Sequence, residues 1–165
     1  MLELSLPPLA LYIHIPWCEK KCPYCDFNSH VSPVIPESDY VDALLADAKT
    51  QLQYVQGRKI CSIFIGGGTP SLFSAQAIAR LLDELSKLLP FQDDIEITME
   101  ANPGSSEQQK FADLFAAGVN RLSLGVQSFH DQQLQKLGRV HCADEAINAI
   151  KAAQGAGFSR INIDL

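Results

Sequence analysis

Positive charge is scarce in this 165-residue chain: 13 Lys and Arg stand against 19 Asp and Glu, a formal net charge of −6. Phosphate neutralisation dominates nucleic-acid affinity, so a chain without a broad basic footprint is not expected to bind DNA or RNA. Long hydrophobic runs are also missing. No apolar stretch approaches the roughly 20 residues that cross a bilayer, and no transmembrane segment is expected. The first fifteen residues are fairly apolar but hold Glu3, Pro7 and Pro8. Lacking a basic leader and a small-residue cleavage site, they read as mature sequence rather than an export signal. Low-complexity tracts, interdomain linkers and internal repeats beyond the rhythm of secondary structure are absent. The chain is 47% hydrophobic and 19% charged, which supplies a core and argues against disorder. Its length favours one domain.

Cysteine is the exception to this scarcity. There are five, an odd number, and Cys18, Cys22 and Cys25 fall within eight residues. Without an export signal, such crowding points to metal or redox chemistry in a reducing cytoplasm rather than to a disulfide framework.

Apolar periodicity divides the chain into a strand-then-helix rhythm. Leu9–Ile15 reads as a first strand, followed by an irregular segment holding the three cysteines and Pro16, Pro23, Pro33 and Pro36. A helix from about Ser38 places Tyr40, Val41, Leu44, Leu45, Ala48 and Leu52 on one side, with Gly57 as its stop. Ile60–Ile65 is almost wholly apolar, as in a strand buried on both faces of a parallel sheet. After Gly66–Pro70 comes a second helix from about Ser74, with Ile78, Leu81, Leu82, Leu85 and Leu88 inward. Ile95–Met99 is a third strand, closed by the turn-forming Asn102–Gly104. Ser105 with Gln108 fits a capping box opening a third helix that ends near Gly118. Arg121–Leu124 is a fourth strand, Asp131–Leu137 and Ala143–Gln154 are helical, and Ser159–Leu165 is a fifth strand. Five strands alternating with helices predict a parallel α/β sheet, open or curved toward a barrel. Ending on an unprotected apolar strand leads us to expect a piece of a longer protein.

The strongest chemical signal is Cys18-Glu-Lys-Lys-Cys22-Pro-Tyr-Cys25. Three thiolates on one loop can hold an iron–sulfur cube, which normally takes four cysteine ligands. Three leave one iron open to a small molecule. Zinc on these cysteines with His14 or His30 is a rival, although structural zinc sites usually pair two ligand hairpins. A glutaredoxin-like dithiol at Cys22-Pro-Tyr-Cys25 is another; it wants a helix starting at the motif and leaves Cys18 unexplained. The Gly66–Pro70 loop follows the second strand as the cysteine loop follows the first. Its glycines would let a ligand approach the backbone and leave N–H and C=O groups free to bind it. Glu100, Gln127 and Asp164 recur at the ends of the next three strands, the rim where α/β proteins bind ligands. Tyr12 and His14 share one face of the first strand, His14 being either a core histidine or a ligand. Cys61 and Cys142 read as packing residues.

Tyr12-Ile-His-Ile-Pro-Trp-Cys18, the cysteine motif, Gly66-Gly-Gly-Thr-Pro70, Glu100-Ala-Asn-Pro-Gly104, Gly125-Val-Gln-Ser-Phe129 and Ile163-Asp-Leu165 occur in that order. Together they resemble the radical S-adenosylmethionine (SAM) superfamily. More narrowly, they resemble the oxygen-independent coproporphyrinogen III oxidase family and its haem-chaperone branch. The resemblance implies that the chain is the N-terminal part of a (β/α)6 barrel domain, truncated after the fifth strand. It implies a [4Fe-4S] cluster on Cys18, Cys22 and Cys25, with SAM on the open iron. Electron transfer from the cluster would cleave SAM to methionine and a 5′-deoxyadenosyl radical. By motif position, Tyr12 and Tyr24 flank cluster and SAM, and Gly67, Gly68 and Thr69 meet the methionine amino group. Glu100, Gln127, Arg139 and Asp164 hold the rest of SAM, and Arg139 suits its carboxylate.

Two departures bear on the branch. The oxidases carry a further cysteine two residues after the third ligand, where this chain has Phe27, and an N-terminal extension ahead of the first strand. Both departures resemble the haem-chaperone branch, which is thought to bind haem and pass it to acceptor proteins and does not oxidise coproporphyrinogen. That resemblance implies haem as cargo, haem-acceptor proteins and an electron donor as partners, and a cytoplasmic location. A coproporphyrinogen-oxidising enzyme and a thiol–disulfide oxidoreductase are the alternatives.

Overall fold

The computed structural model describes residues 5–165, the side chains of Ser105 and Ser106 excepted; the leader reading at Glu3 lies outside them. In chain order the elements are β1 (Leu9–Ile15), β2 (Trp17–Cys18), β3 (His30–Val31), α1 (Glu37–Gln51), β4 (Ile60–Gly67), α2 (Ala75–Leu88) and β5 (Phe91–Ala101). Then follow α3 (Ser105–Gln108), α4 (Phe111–Ala116), β6 (Arg121–Gly125), α5 (Asp131–Lys136), α6 (Ala143–Gly155) and β7 (Arg160–Asp164).

The main sheet is wholly parallel with strand order β1-β4-β5-β6-β7. A doubly wound sheet reverses its strand order at a crevice. Here each strand is added beside the last in one direction. Right-handed crossovers then put every connecting helix on the same face, giving a singly wound, barrel-like sheet with β1 and β7 at its edges.

Strand register shows the two faces. Ile13, Ile65, Met99, Leu122 and Ile161 form one row across the sheet. The first four are buried beneath the helices, with Val41 and Leu45 of α1 and Ile78, Leu81, Leu82 and Leu85 of α2 in the same core. The neighbouring row, Tyr12, Phe64, Thr98, Arg121 and Arg160, faces the other way. There Glu96 accepts from Arg121 and Arg160 at 3.0 Å each, while Tyr12 and Phe64 stack at 6.3 Å and remain exposed. The expectation that Ile60–Ile65 is buried on both faces is therefore corrected. Singly wound topology covers one face of the sheet, and Phe64 lies on the uncovered one.

Most element boundaries fall within a few residues of the sequence reading, with four differences. Leu52 belongs to a short 3-10 turn after α1 and is exposed. The third helix is two pieces, α3 and α4, separated by a tight turn in which Lys110 N–H donates to Glu107 O (2.9 Å). That break aims Glu107 back toward Ser71 and Asn102 and lets Lys110 reach the carbonyls of Ser71 and Leu72. Gly104 is the N-cap of α3, and the Ser105 half of the expected capping box lies outside the described side chains. Finally, Cys142 is no packing residue: it is exposed and caps α6, exchanging hydrogen bonds with Glu145.

One-sided burial has a measurable consequence. Ile65→Ala, at a fully buried position, should cost about 2–5 kcal/mol in urea unfolding. Phe64→Ala, the next residue but on the open face, should cost about 1 kcal/mol or less.

Candidate cofactor site

The carboxyl ends of all five main-sheet strands meet at one cleft. It is lined by Cys18, Lys20, Cys22, Tyr24, Cys25, Phe27, Gly67, Gly68, Thr69, Glu100, Asn102, Ser123, Gly125, Gln127, Arg139 and Asp164, among others. Every residue proposed from the resemblance for the cluster or SAM is in this lining except Tyr12, whose hydroxyl instead bonds His14 Nδ1 at 2.9 Å; His14 and His30, the candidate zinc ligands, lie outside it. Asn102 and Ser123 line the cleft too and were not singled out.

The cysteine loop is pinned along its length. Trp17 packs edge-on against Tyr40 (4.6 Å) and beside Phe73 (5.7 Å), which half-buries the residue preceding Cys18. His14 Nε2 bonds Asn28 O at 2.8 Å. Both its ring nitrogens are engaged, so His14 is neither core nor ligand but a clasp between β1 and the loop. Lys21 folds back onto the carbonyls of Phe27 and Ser29. Among the described residues no helix starts at Cys22, where the chain makes a turn closed by Cys25 N–H to Cys22 O (3.1 Å). The helix N-terminus that a glutaredoxin-like dithiol needs is absent there.

The glycine loop departs from expectation in one informative way: its N–H groups are already used. Gly67 donates to Glu100 Oε2 (3.0 Å), Gly68 to Ile15 O (2.8 Å) and Thr69 to Trp17 O (2.7 Å). The loop therefore offers a ligand carbonyl oxygens, which suit an ammonium and not a phosphate. The approach at Gly68 requires glycine, since a Cβ there would lie 2.5 Å from Trp17 O. Gly138 plays the matching part on the opposite side. At φ +70°, with a Cβ position 2.9 Å from Pro23 Cδ, it lets the cysteine loop pack against the α5–α6 connection.

That connection supplies Arg139. Its Nη2 donates to Asn102 Oδ1 (2.8 Å) and Gly125 O (2.6 Å), and its Nη1 to Cys22 Sγ (3.4 Å). Nε is buried without a partner among the described residues. Two carboxylates also line the cleft. Glu100 is pushed above the ordinary range by burial, against the Gly67 N–H, with Asp164 raising it further. Asp164 accepts from Asn162 (2.7 Å) and Ser123 (3.1 Å). Gln127 sits in the left-handed region at φ +68°, an uncommon conformation for a non-glycine residue. It is held there by its own N–H to Asp164 O (2.7 Å), while His141 Nε2 grips Val126 O at 3.0 Å. Burial holds His141 below its ordinary pKa. Neutral, it keeps its one proton on Nε2, because a carbonyl can only accept.

The residues fit an iron–sulfur cluster with a zwitterionic nucleoside ligand. All three thiols are free and half-buried. Among the described residues, no three His, Cys, Asp or Glu side chains are close enough to share one metal ion. Mononuclear zinc would need ligands that converge on a single centre, whereas in a cube each thiolate binds a different iron. Two carboxylates, and a guanidinium that pairs with no carboxylate among the described residues, complement hydroxyls or an ammonium and a carboxylate respectively.

Fold and site together define a radical-SAM type of α/β protein. The radical SAM superfamily matches residues 12–165, and the chain belongs to it. It is 56% identical to the haem chaperone HemW of Haemophilus influenzae and 55% identical to that of Escherichia coli. Each comparison covers 98% of this chain and 43% of the relative. The chain thus spans less than half the length of these curated relatives. Among solved structures, the coproporphyrinogen III oxidase HemN of Escherichia coli, described as a radical SAM enzyme, superposes with a TM-score of 0.85 at 34% identity. That superposition covers 96% of this chain and 37% of HemN.

Two substitutions test this geometry. Gly68→Ala should lower stability by about 2 kcal/mol or more in chemical denaturation, because the clash is with backbone. Gly104→Ala, whose Cβ would meet nothing within 4 Å, should stay within about 1 kcal/mol. Glu107 is buried and its pKa is raised, chiefly by burial. The folded state then holds the proton more tightly than the unfolded one, so Glu107's contribution is full in acid and fades as pH rises through its folded pKa. Glu107→Gln should remove that part of the pH dependence, so stability curves of the two proteins should diverge upward from the ordinary carboxylate range in favour of Gln.

Proposed function

We propose that this chain forms the cluster- and SAM-binding part of a haem chaperone. The observation that carries the reading is its identity of 55–56%, over 98% of its length, to haem chaperones. In this reading Cys18, Cys22 and Cys25 hold a [4Fe-4S] cluster. Gly68 and Thr69 face the methionine amine and Arg139 its carboxylate, while Glu100, Gln127 and Asp164 take the remaining polar groups of SAM. Tyr24 flanks the cluster from within the cleft. Tyr12 acts at one remove, through His14. Cluster and SAM together supply one-electron reductive chemistry when bound; the chain supplies placement, orientation and exclusion of water. Haem is the cargo, haem-acceptor proteins and an electron donor are the partners, and the cytoplasm is the compartment. Among the described residues no helix is long and apolar enough to cross a membrane.

Oxidation of coproporphyrinogen III is the second reading, favoured by the HemN superposition. Phe27 lines the cleft beside Cys25, where the oxidases carry a cysteine, and it weighs toward the chaperone. The deciding experiment reconstitutes the full-length protein anaerobically with iron and sulfide and supplies SAM, a reductant and coproporphyrinogen III, with a known oxidase as control. The expected outcome is no porphyrin product, together with haem binding and transfer to an apo-acceptor. Multiple turnovers would establish the oxidase instead. Cys18→Ser should abolish the cluster's visible absorbance; dithiol exchange surviving that change would favour an oxidoreductase.

A further inference from the structure

Asn102 stands between three loops that build the cleft. Its backbone N–H donates to Glu107 Oε2 (2.9 Å) and its Nδ2 to Thr69 Oγ1 (3.0 Å), while its Oδ1 accepts from Arg139 Nη2 (2.8 Å). The sense of the amide is settled by its partners. A guanidinium has donors only, so oxygen faces Arg139 and nitrogen is left for Thr69. Backbone and side chain are both committed. Glu107, which grips the backbone, also bonds Ser71, two residues beyond Thr69 on the glycine loop.

The partners of Arg139 give this arrangement its chemical sense. Asn102 and Gly125 hold Nη2 with neutral oxygens, and Nη1 reaches the Cys22 sulfur. Among the described residues no carboxylate pairs with Arg139. The guanidinium is oriented without being neutralised by an acid, which keeps it available to an anionic ligand group. Thr69 is held in the same way from the opposite side of the amide.

We propose that Asn102 is a positioning residue for the amino-acid end of the ligand, setting the Thr69 hydroxyl and the Arg139 guanidinium in one geometry. This rests on the reading of the cleft as a SAM site. The test uses Asn102→Leu, of similar shape without hydrogen bonds, and Asn102→Asp, which can keep both contacts but sets a carboxylate against the Arg139 guanidinium. Calorimetry on the cluster-loaded full-length protein would compare SAM with 5′-methylthioadenosine, which has the adenosine but lacks the amino-acid end.

Asn102→Leu should weaken SAM about tenfold or more, as loss of paired, partly charge-assisted bonds implies. Methylthioadenosine should change less than about twofold with either variant, and Asn102→Asp should weaken SAM as well, because its carboxylate would neutralise Arg139. Equal weakening of both ligands would show a merely structural role and overturn the proposal, as would no weakening of either or a SAM affinity left unchanged by Asn102→Asp. If the unsubstituted protein itself bound SAM no better than methylthioadenosine, the SAM reading would fall and the proposal with it, and that outcome is separate from the others.

Discussion

The constraint on which the cleft depends is a backbone ladder that does not stop where the strand does. β1 and β4 pair in parallel through Ile15 and Gly67. The pattern then continues through Gly68 N–H to Ile15 O and Thr69 N–H to Trp17 O. Two loops that would otherwise diverge from the rim leave it together, side by side. The residue after Trp17 is Cys18, so the first thiol inherits its position from a hydrogen-bonded ladder. Gly68 is the condition for this, because any Cβ would occupy the space of the Trp17 carbonyl. The aromatic packing of Trp17 on Tyr40 and Phe73 closes the far side.

The same ladder explains why the glycine loop offers acceptors. In phosphate-binding loops consecutive N–H groups point at the ligand. Here they point into the protein, at Glu100, Ile15 and Trp17, and the loop's remaining hydrogen-bonding capacity is carbonyl oxygen. Charge is divided accordingly. Glu100 and Asp164 lie toward the ends of β5 and β7, and Arg139 arrives from the α5–α6 connection. A ligand that fits is a zwitterion with additional hydroxyls, not a simple anion. Arg139 also joins the cysteine loop to the rim, since one guanidinium touches both the Cys22 sulfur and the amide of Asn102.

What the sequence disclosed and what it hid follow from the range of the interactions. Alternating and helical periodicities are local, so β1, β4, β5, β6, α1 and α2 were legible from Leu9–Ile15, Ile60–Ile65 and the Leu-rich stripes. Strand ends are local too, which is why Glu100, Gln127 and Asp164 could be placed on one rim. The one-sided burial of β4 was not legible, because it depends on the direction in which strands are added. Asn102 read as part of a turn: its partners Thr69 and Arg139 lie 33 and 37 residues away, and nothing local marks them. His14 shows the same limit, its clasp on Asn28 closing over 14 residues. The break between α3 and α4 was hidden because Glu107 is turned inward by Ser71, on another loop. Arg139 was singled out by resemblance alone, since an arginine following a glycine has no chemistry of its own to announce.

Similarity of fold does not by itself separate the two tetrapyrrole chemistries. A chain can superpose on an oxidase at a TM-score of 0.85 while sharing more of its residues with chaperones, because the sheet fixes where the rim lies and not what crosses it. The proposed cluster and SAM contacts sit on that rim, on the strand ends and on loops pinned by Lys21, His14 and Asn102. Discrimination between outcomes therefore falls to side chains that line the opening without carrying the frame. Phe27 is such a residue. Its carbonyl is held by Lys21 and Ser29, which fixes the backbone while the residue stays 62% exposed in the cleft lining. A cysteine at the same place would add a fourth thiol to the loop, whereas phenylalanine adds apolar surface at the mouth of the cleft. That surface is suited to exclude water or to meet a flat, apolar partner, and it cannot relay protons or electrons.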